Sequence, residues 1–212
     1  MLAFSSLLGN VEGQNIYRIW YDKPASYWEE ALPVGNGRIA AMVFGDPQLE
    51  QIQLNEETVS AGSPYQNYNE EAKTALPEMR RLIFEGKYEE AQNMAATKIL
   101  SQVGNEMPYQ TVGRLNIRYP DHKKVNNYYR DLDISNAVAV TRYEVDGVEF
   151  TEETFASFTD QLVIRHIKAS KPGTINCELF FNTPMRDPKR SIYGKKGLRL
   201  EGITHGSRYF PG

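Results

Sequence analysis

The chain has 212 residues, of which 41% are hydrophobic and 24% charged, with a formal net charge of −3. That is enough apolar chain for one large or two small domains with a real core, in proportions ordinary for a globular protein. It carries no dense Lys/Arg block to neutralise phosphates, which argues against a nucleic-acid partner. No run of about 18 apolar residues occurs, so no transmembrane helix is expected.

Residues 1–14, MLAFSSLLGNVEGQ, hold a short apolar stretch with no Lys or Arg before it. They read as a leader, or as the remnant of a secretory signal without its basic start. The folded domain is expected over 15–212. NIYRIWY (15–21) predicts a first strand, which DKPAS then ends. Gly35-Asn36-Gly37 predicts a tight turn, because glycine tolerates positive φ and Asn does so better than most residues. RIAAMVF follows, apolar throughout after Arg38, and reads as a strand buried on both faces. Gly45-Asp46-Pro47 turns the chain into EQIQLN, where Ile52 and Leu54 alternate with Gln51 and Gln53. Two strands joined by a short turn make a hairpin.

GSPYQNYNEEAK is polar and turn-rich, and from about 70 to 100 the period becomes helical, with Ala72, Ala75, Met79, Leu82 and Ile83 three or four apart. Pro77 suits the first turn of a helix over roughly Glu78 to Glu85, with Gly86 as its stop. A second helix is expected over Tyr88 to Leu100, with Tyr88, Ala91, Met94, Ala95 and Ile99 facing inward.

From Tyr109 the pattern is β again. Asp146-Gly147 sits between two alternating runs, a strong hairpin signal. A second hairpin turns near Thr159-Asp160, and His166, in phase with Leu162 and Ile164, reads as a packed strand residue. Lys171-Pro172-Gly173 closes that strand. In the next one, Cys177 alternates with Ile175, Leu179 and Phe181 and is placed on a buried face. As the chain's one cysteine it can build neither a disulfide nor a Cys-based zinc site. The expected fold is mainly β: an antiparallel β-sandwich with a helical insertion at about 70–100.

Five adjacent acid pairs invite a catalytic reading: Glu29-Glu30, Glu56-Glu57, Glu70-Glu71, Glu89-Glu90 and Glu152-Glu153. A glycosidase needs two carboxyl groups about 5–9.5 Å apart across one bond. Neighbours on a strand point to opposite faces, and neighbours on a helix diverge by about 100°. Adjacency therefore makes none of these a working couple, and each is expected to be a solvated charge pair. Asn55-Glu56 differs in lying just past an alternating strand, where a rim can donate to a polar ligand or a neighbouring domain. The plainer alternative is a strand-end turn. His122, His166 and His205 show no HxH or HExxH spacing, so no metal site is expected. There is no GxSxG elbow, and the GNG turn is too short for a phosphate loop. The 13 tyrosines suit sugar contact, but also suit strands.

Taken together, W-EEALPVGNGRIAAMVFGDPQLEQIQLNEET resembles the opening of the family 95 glycoside hydrolases, the α-L-fucosidase group. ALPEMRRLIFEGKYEEAQ, YQTVGRLNIRY and YYRDLDISNAVAVTRYEVDGVEFTEETFAS resemble later stretches of that family in the same order, so the likeness runs from about Ile16 to Pro184. Departures are Ala40, where the family commonly has Gly, and Val59 to Pro64, where it commonly has a Trp-Ser-Gly-Gly-Pro run. YQTVGRLNI also lacks the usual Pro and Asp. The resemblance implies a β-sandwich ahead of an (α/α)6 barrel, which carries the general acid and the Asn/Asp group that activates water for inverting hydrolysis of terminal α-L-fucosides or α-L-galactosides. It further implies that no catalytic residue lies in this chain, that the catalytic domain is a partner absent from it, and that the chain stops short of the last sandwich strands. A fucosylated oligosaccharide or glycan is the expected ligand of the whole, no cofactor is needed, and the location is extracytoplasmic. Asn55 and Glu56 become candidates for the rim of the sugar pocket, with Gly35, Asn36 and Gly37 as a structural turn. A free-standing carbohydrate-binding sandwich is the competing reading.

Overall fold

The computed structural model describes residues 17–60, 68–101 and 109–205. The expected leader over 1–14 and most of the departure at Val59 to Pro64 lie outside these residues. In chain order the elements are β1 (Arg18–Tyr21), β2 (Leu32–Gly35), β3 (Ile39–Val43), β4 (Leu49–Glu56), α1 (Ala72–Phe84), α2 (Tyr88–Met94), β5 (Gly113–Arg118), β6 (Val125–Asp133), β7 (Val138–Val145), β8 (Val148–Ser157), β9 (Leu162–Ala169), β10 (Glu178–Asn182), β11 (Arg186–Tyr193) and β12 (Gly197–Ile203). They group into two compact units, residues 1–56 with 113–182, and residues 57–112 with 183–212.

The first unit is the expected sandwich. Two five-stranded antiparallel sheets, ordered β1-β6-β7-β8-β9 and β10-β5-β4-β3-β2, enclose one core. Leu32, Val34, Ala41, Val43, Ile52 and Ile117 face Leu132 and Ala139 across it. Each large apolar side chain so buried contributes about 1.5–3 kcal/mol, so this seam, rather than any one polar contact, holds the layers together. The Asp146-Gly147 turn forms as read, with φ of 49° and 76°, the left-handed pair that matches strand twist in a two-residue hairpin.

Three strand readings need correction. β3 is fully buried on one face only: Ala41 and Val43 are inside, while Ala40 and Met42 are half-exposed. In β9 the phase is opposite to the expectation. Val163 and Ile167 pack on the core, whereas Leu162 and His166 are exposed. LVIRHIKA has apolar residues on both faces, so its pattern does not choose between them. Since side chains alternate, a one-residue slip inverts the whole strand. Finally, β10 starts only at Glu178, with Cys177 half-buried against the core just before it and Ile175 and Leu179 exposed.

The second unit holds α1 and α2, one turn of π-helix at Ala95–Ile99, and the β11–β12 hairpin. α1 starts earlier than predicted, so Pro77 lies inside it instead of opening it. Gly86 ends it as expected: its φ is 75°, and the Lys87 amide donates to the Leu82 carbonyl, satisfying a terminal acceptor. In α2, Ala91 is buried, but Tyr88 is 68% exposed and faces outward. Asn69 ties the start of α1 to the π-turn, its amide donating to the carbonyls of Thr97 (3.2 Å) and Leu100 (3.4 Å). Among the described residues no helix is long and apolar enough to cross a membrane.

Candidate functional site

The Gly-Asn-Gly turn and the end of β4 lie side by side at one end of the sandwich. Register pairs Gly35 with Ala40, Ala40 with Asn55, and Ile39 with Glu56. The positive φ belongs to Gly37, at 93°, not to Asn36. Asn36 works through its side chain instead. Its Oδ1 accepts from the amides of Arg38 (3.1 Å) and Ile39 (2.9 Å), and its Nδ2 donates to the Ser157 carbonyl (2.8 Å) in the other sheet. One amide thus closes the turn and fastens the two layers together. Arg38 then donates through Nε to Glu56 Oε1 at 3.1 Å.

Asn55 and Glu56 are both half-buried, and strand alternation sends them to opposite faces. Glu56 is in phase with Ile52, the core side of β4, and Asn55 is in phase with Gln51 and Gln53. The two candidates cannot meet one ligand from the same side of the sheet.

The acids that do meet come from elsewhere. Glu50 of β4 and Glu152 of β8 converge on Arg165 of β9, inside the sandwich. Arg165 Nη2 donates to Glu50 Oε2 at 2.7 Å and also to Glu152 Oε2, while Nη1 donates to Thr154 Oγ1 at 2.8 Å. Glu50 Oε1 accepts from the amides of Phe44 (3.1 Å) and Gly45 (2.9 Å), and Glu152 Oε1 accepts from the Tyr143 hydroxyl (2.7 Å). Beside them Arg130 donates to the carbonyls of Lys23 (2.8 Å) and Glu30 (2.6 Å), with its guanidinium 4.0 Å from the centre of the Tyr21 ring. Gly45 makes room for this packing. A Cβ there would meet Tyr128 Oη at 2.8 Å and Arg130 Cδ at 2.9 Å.

Of the expected solvated pair Glu152-Glu153, only Glu153 faces solvent; Glu152 is 2% exposed. The signal was available. Glu50 is in phase with Ile52, Glu152 with Phe150, and Arg165 with Val163 and Ile167, so each charge sits on its strand's core side. This pair of carboxylates is not a glycosidase couple. Such a couple flanks a bond in an open cleft, and these two are closed to solvent and bound to a shared guanidinium. Burial pushes the Tyr119 hydroxyl up to about 12, drives those of Tyr128 and Tyr143 higher still, and lowers the Arg130 guanidinium from its usual value. The cluster is a closed structural network.

The histidines are dispersed. His166 lies beside Glu153 on the exposed face of β9, and His205 Nε2 contacts the Pro184 carbonyl at 2.5 Å. His122 is buried, stacked on Tyr119 (centroids 4.6 Å apart) and against Phe150 (4.5 Å), and burial lowers its pKa. Among the described residues no group of three or more His, Cys, Asp or Glu is placed to hold a metal ion.

Comparison with known proteins gives a consistent result. The family described as glycosyl hydrolase family 65, N-terminal domain, matches residues 19–209. Alpha-L-fucosidase 2 of Arabidopsis thaliana is 37% identical over 181 residues, covering 82% of this chain and 21% of that protein. Probable alpha-fucosidase A of Aspergillus niger is 26% identical over 162 residues, covering 72% of this chain and 20% of that protein. A protein of the same description from Aspergillus oryzae is 25% identical over 211 residues, or 93% of this chain. The chain thus spans about a fifth of the length of the first two relatives.

Proposed function

We infer, because the chain belongs to the family of glycosyl hydrolase family 65 N-terminal domains, that it is the non-catalytic leading domain of a family 95 α-L-fucosidase. The full protein hydrolyses terminal α-L-fucosides, or α-L-galactosides, with inversion at the anomeric carbon. The acid and the water-activating group lie on an (α/α)6 barrel that follows this domain. The sandwich is the scaffold on which that barrel packs, and the end carrying Asn55 and Glu56 shapes the approach to its pocket. The whole works outside the cytoplasm, in keeping with the apolar stretch in residues 1–14.

The observation that carries this reading is the 37% identity to alpha-L-fucosidase 2 along most of the chain. It is supported by the chemistry of the interior, where the converging carboxylates are sealed in salt bridges and cannot reach a glycosidic bond.

The test is release of L-fucose from 2′-fucosyllactose. The purified chain is expected to release none, and the full-length product of the gene to release it readily. Hydrolysis by the chain alone would overturn the scaffold assignment. In the full-length protein, Asn55→Ala and Glu56→Ala are assayed separately. The alternating strand predicts that one raises KM and the other leaves kinetics unchanged. Two variants with wild-type kinetics and stability would remove the rim role.

A further inference from the structure

At the end of the sandwich opposite the Gly-Asn-Gly turn, a groove of about 630 Å³ opens between the β7–β8 hairpin, the segment after β5 and the segment before β10. That volume lies within the roughly 300–1,000 Å³ usual for small-molecule sites. His122 borders it. Its ring is only 3% exposed, and its Nδ1 lies 2.9 Å from the Pro47 carbonyl. A carbonyl oxygen only accepts, so Nδ1 must carry the proton. The neutral ring, which burial favours, then presents Nε2 as a bare acceptor. Among the described residues that nitrogen has no hydrogen-bond partner.

The other polar groups on the groove are acceptors too. The Asp146 carboxylate projects from its turn without a partner among the described residues. Asp121 uses Oδ2 to accept from Asn176 Nδ2 at 2.8 Å, leaving its second oxygen. That contact also leaves the Asn176 carbonyl oxygen open. The Thr174 hydroxyl spends its proton on the Lys171 carbonyl at 2.7 Å, so its lone pairs remain. Among these side chains, only the second amide proton of Asn176 is a spare donor. A ligand that satisfies this rim must bring several donors of its own. Both a cation and a polyol meet that demand, and the rest of the lining decides between them. Val148 and Ile175, set over the buried Phe150, give the groove an apolar wall that an ammonium or a metal ion leaves unused. A pyranose ring has hydroxyl donors on its edges and a C–H face that suits the aliphatic side chains of Val148 and Ile175.

We propose that this groove is a sugar-binding site that holds a pyranose ring by its hydroxyls on His122 Nε2, Asp121, Asp146 and Asn176, with the ring's apolar face on Val148 and Ile175. The site stands on this chain's own residues and involves no hydrolysis, so its failure and that of the fucosidase reading are separate events.

The test is a heteronuclear NMR titration of the isotope-labelled chain with the methyl pyranosides of glucose, galactose and 6-deoxy-L-galactose, with methylammonium as the cation control. At least one glycoside is expected to give saturable shifts at the amides of Asp121, Asp146 and Asn176, and to move the His122 Nε2 resonance as it accepts a hydroxyl proton. Asp146→Gly, which keeps the left-handed turn, and Asn176→Ala are at exposed positions and should leave the rest of the spectrum in place. Each should weaken binding about fivefold, the loss expected for one hydrogen bond. The absence of saturable shifts with every glycoside would overturn the proposal. So would shifts of undiminished affinity in both variants, or a response to methylammonium alone.

Discussion

Replacing Arg165 with Met removes one guanidinium from between two carboxylates and keeps most of the side-chain length. The variant loses three charge-assisted donations, to Glu50, Glu152 and Thr154. The guanidinium is charged in all three, so at about 1.5–3 kcal/mol for each bond the sum is about 4.5–9 kcal/mol. That is an upper bound, because a stranded carboxylate can take up a proton instead of staying charged. Removing one partner from a buried ion pair typically costs about 3–5 kcal/mol, and Glu50 and Glu152 have side chains only 0% and 1% exposed. The expected loss is therefore about 4 kcal/mol, a large share of the roughly 5–15 kcal/mol that holds a domain folded. Urea unfolding followed by tryptophan fluorescence measures it. A second variant separates charge from packing: adding Glu50→Gln and Glu152→Gln to Arg165→Met removes the stranded charges and should recover a good part of the loss. A loss below about 1 kcal/mol in the single variant, within the range of exposed pairs, would refute the reasoning. So would a triple variant no more stable than the single one.

Two glycines in left-handed conformations should respond differently to Ala. Gly37, with φ of 93° and nothing near its missing Cβ, should cost about 1 kcal/mol in the same unfolding assay, whereas Gly45, crowded by Tyr128 and Arg130, should cost at least about twice that. Equal losses would mean that the crowding is relieved elsewhere. His122 should give stability a pH dependence of defined sign. Unfolded, it takes a proton near pH 6.5 or so; folded, burial keeps it neutral to lower pH. The unfolded chain binds more protons in that interval, so stability is whole above about pH 6.5 and falls as pH drops towards the depressed folded value. His122→Phe, which keeps a ring against Tyr119 and Phe150, should flatten that slope, and an unchanged slope would count against the histidine as its source.

Much of the sandwich was legible because its turns are chemically specific. Asp146-Gly147 and Gly45-Asp46-Pro47 are read correctly because few residues accept left-handed backbone or cap a turn with their own carboxylate, as Asp46 does for the Gln48 and Leu49 amides. β9 was illegible because both its faces carry apolar side chains, and its choice of face depends on Arg165 reaching two acids in other strands. The same non-locality hid the interior network. Glu50 and Arg165 stand 115 positions apart, and only the assembled layers bring them together. Pro77 misled for a different reason. A proline in the first turn is the easy case, but α1 runs through it, and tertiary packing of Ala75 and Leu82 on either side offsets the lost hydrogen bond. At the rim, sequence placed Asn55 and Glu56 correctly at a strand end, but adjacency concealed that they face apart.

The order in which the strands pair sets a schedule for biosynthesis. β1 meets β6 only after the intervening chain exists, with Arg18 and Asp131 separated by 113 positions. At about 5–20 residues per second, a ribosome leaves the first strand without its neighbour for roughly 6–23 s. β4 likewise waits for β5 while the helical segment is made. During that interval the nascent chain displays unpaired edges and apolar stripes. Its yield in a cell therefore depends on whatever shields those stripes until the later strands emerge.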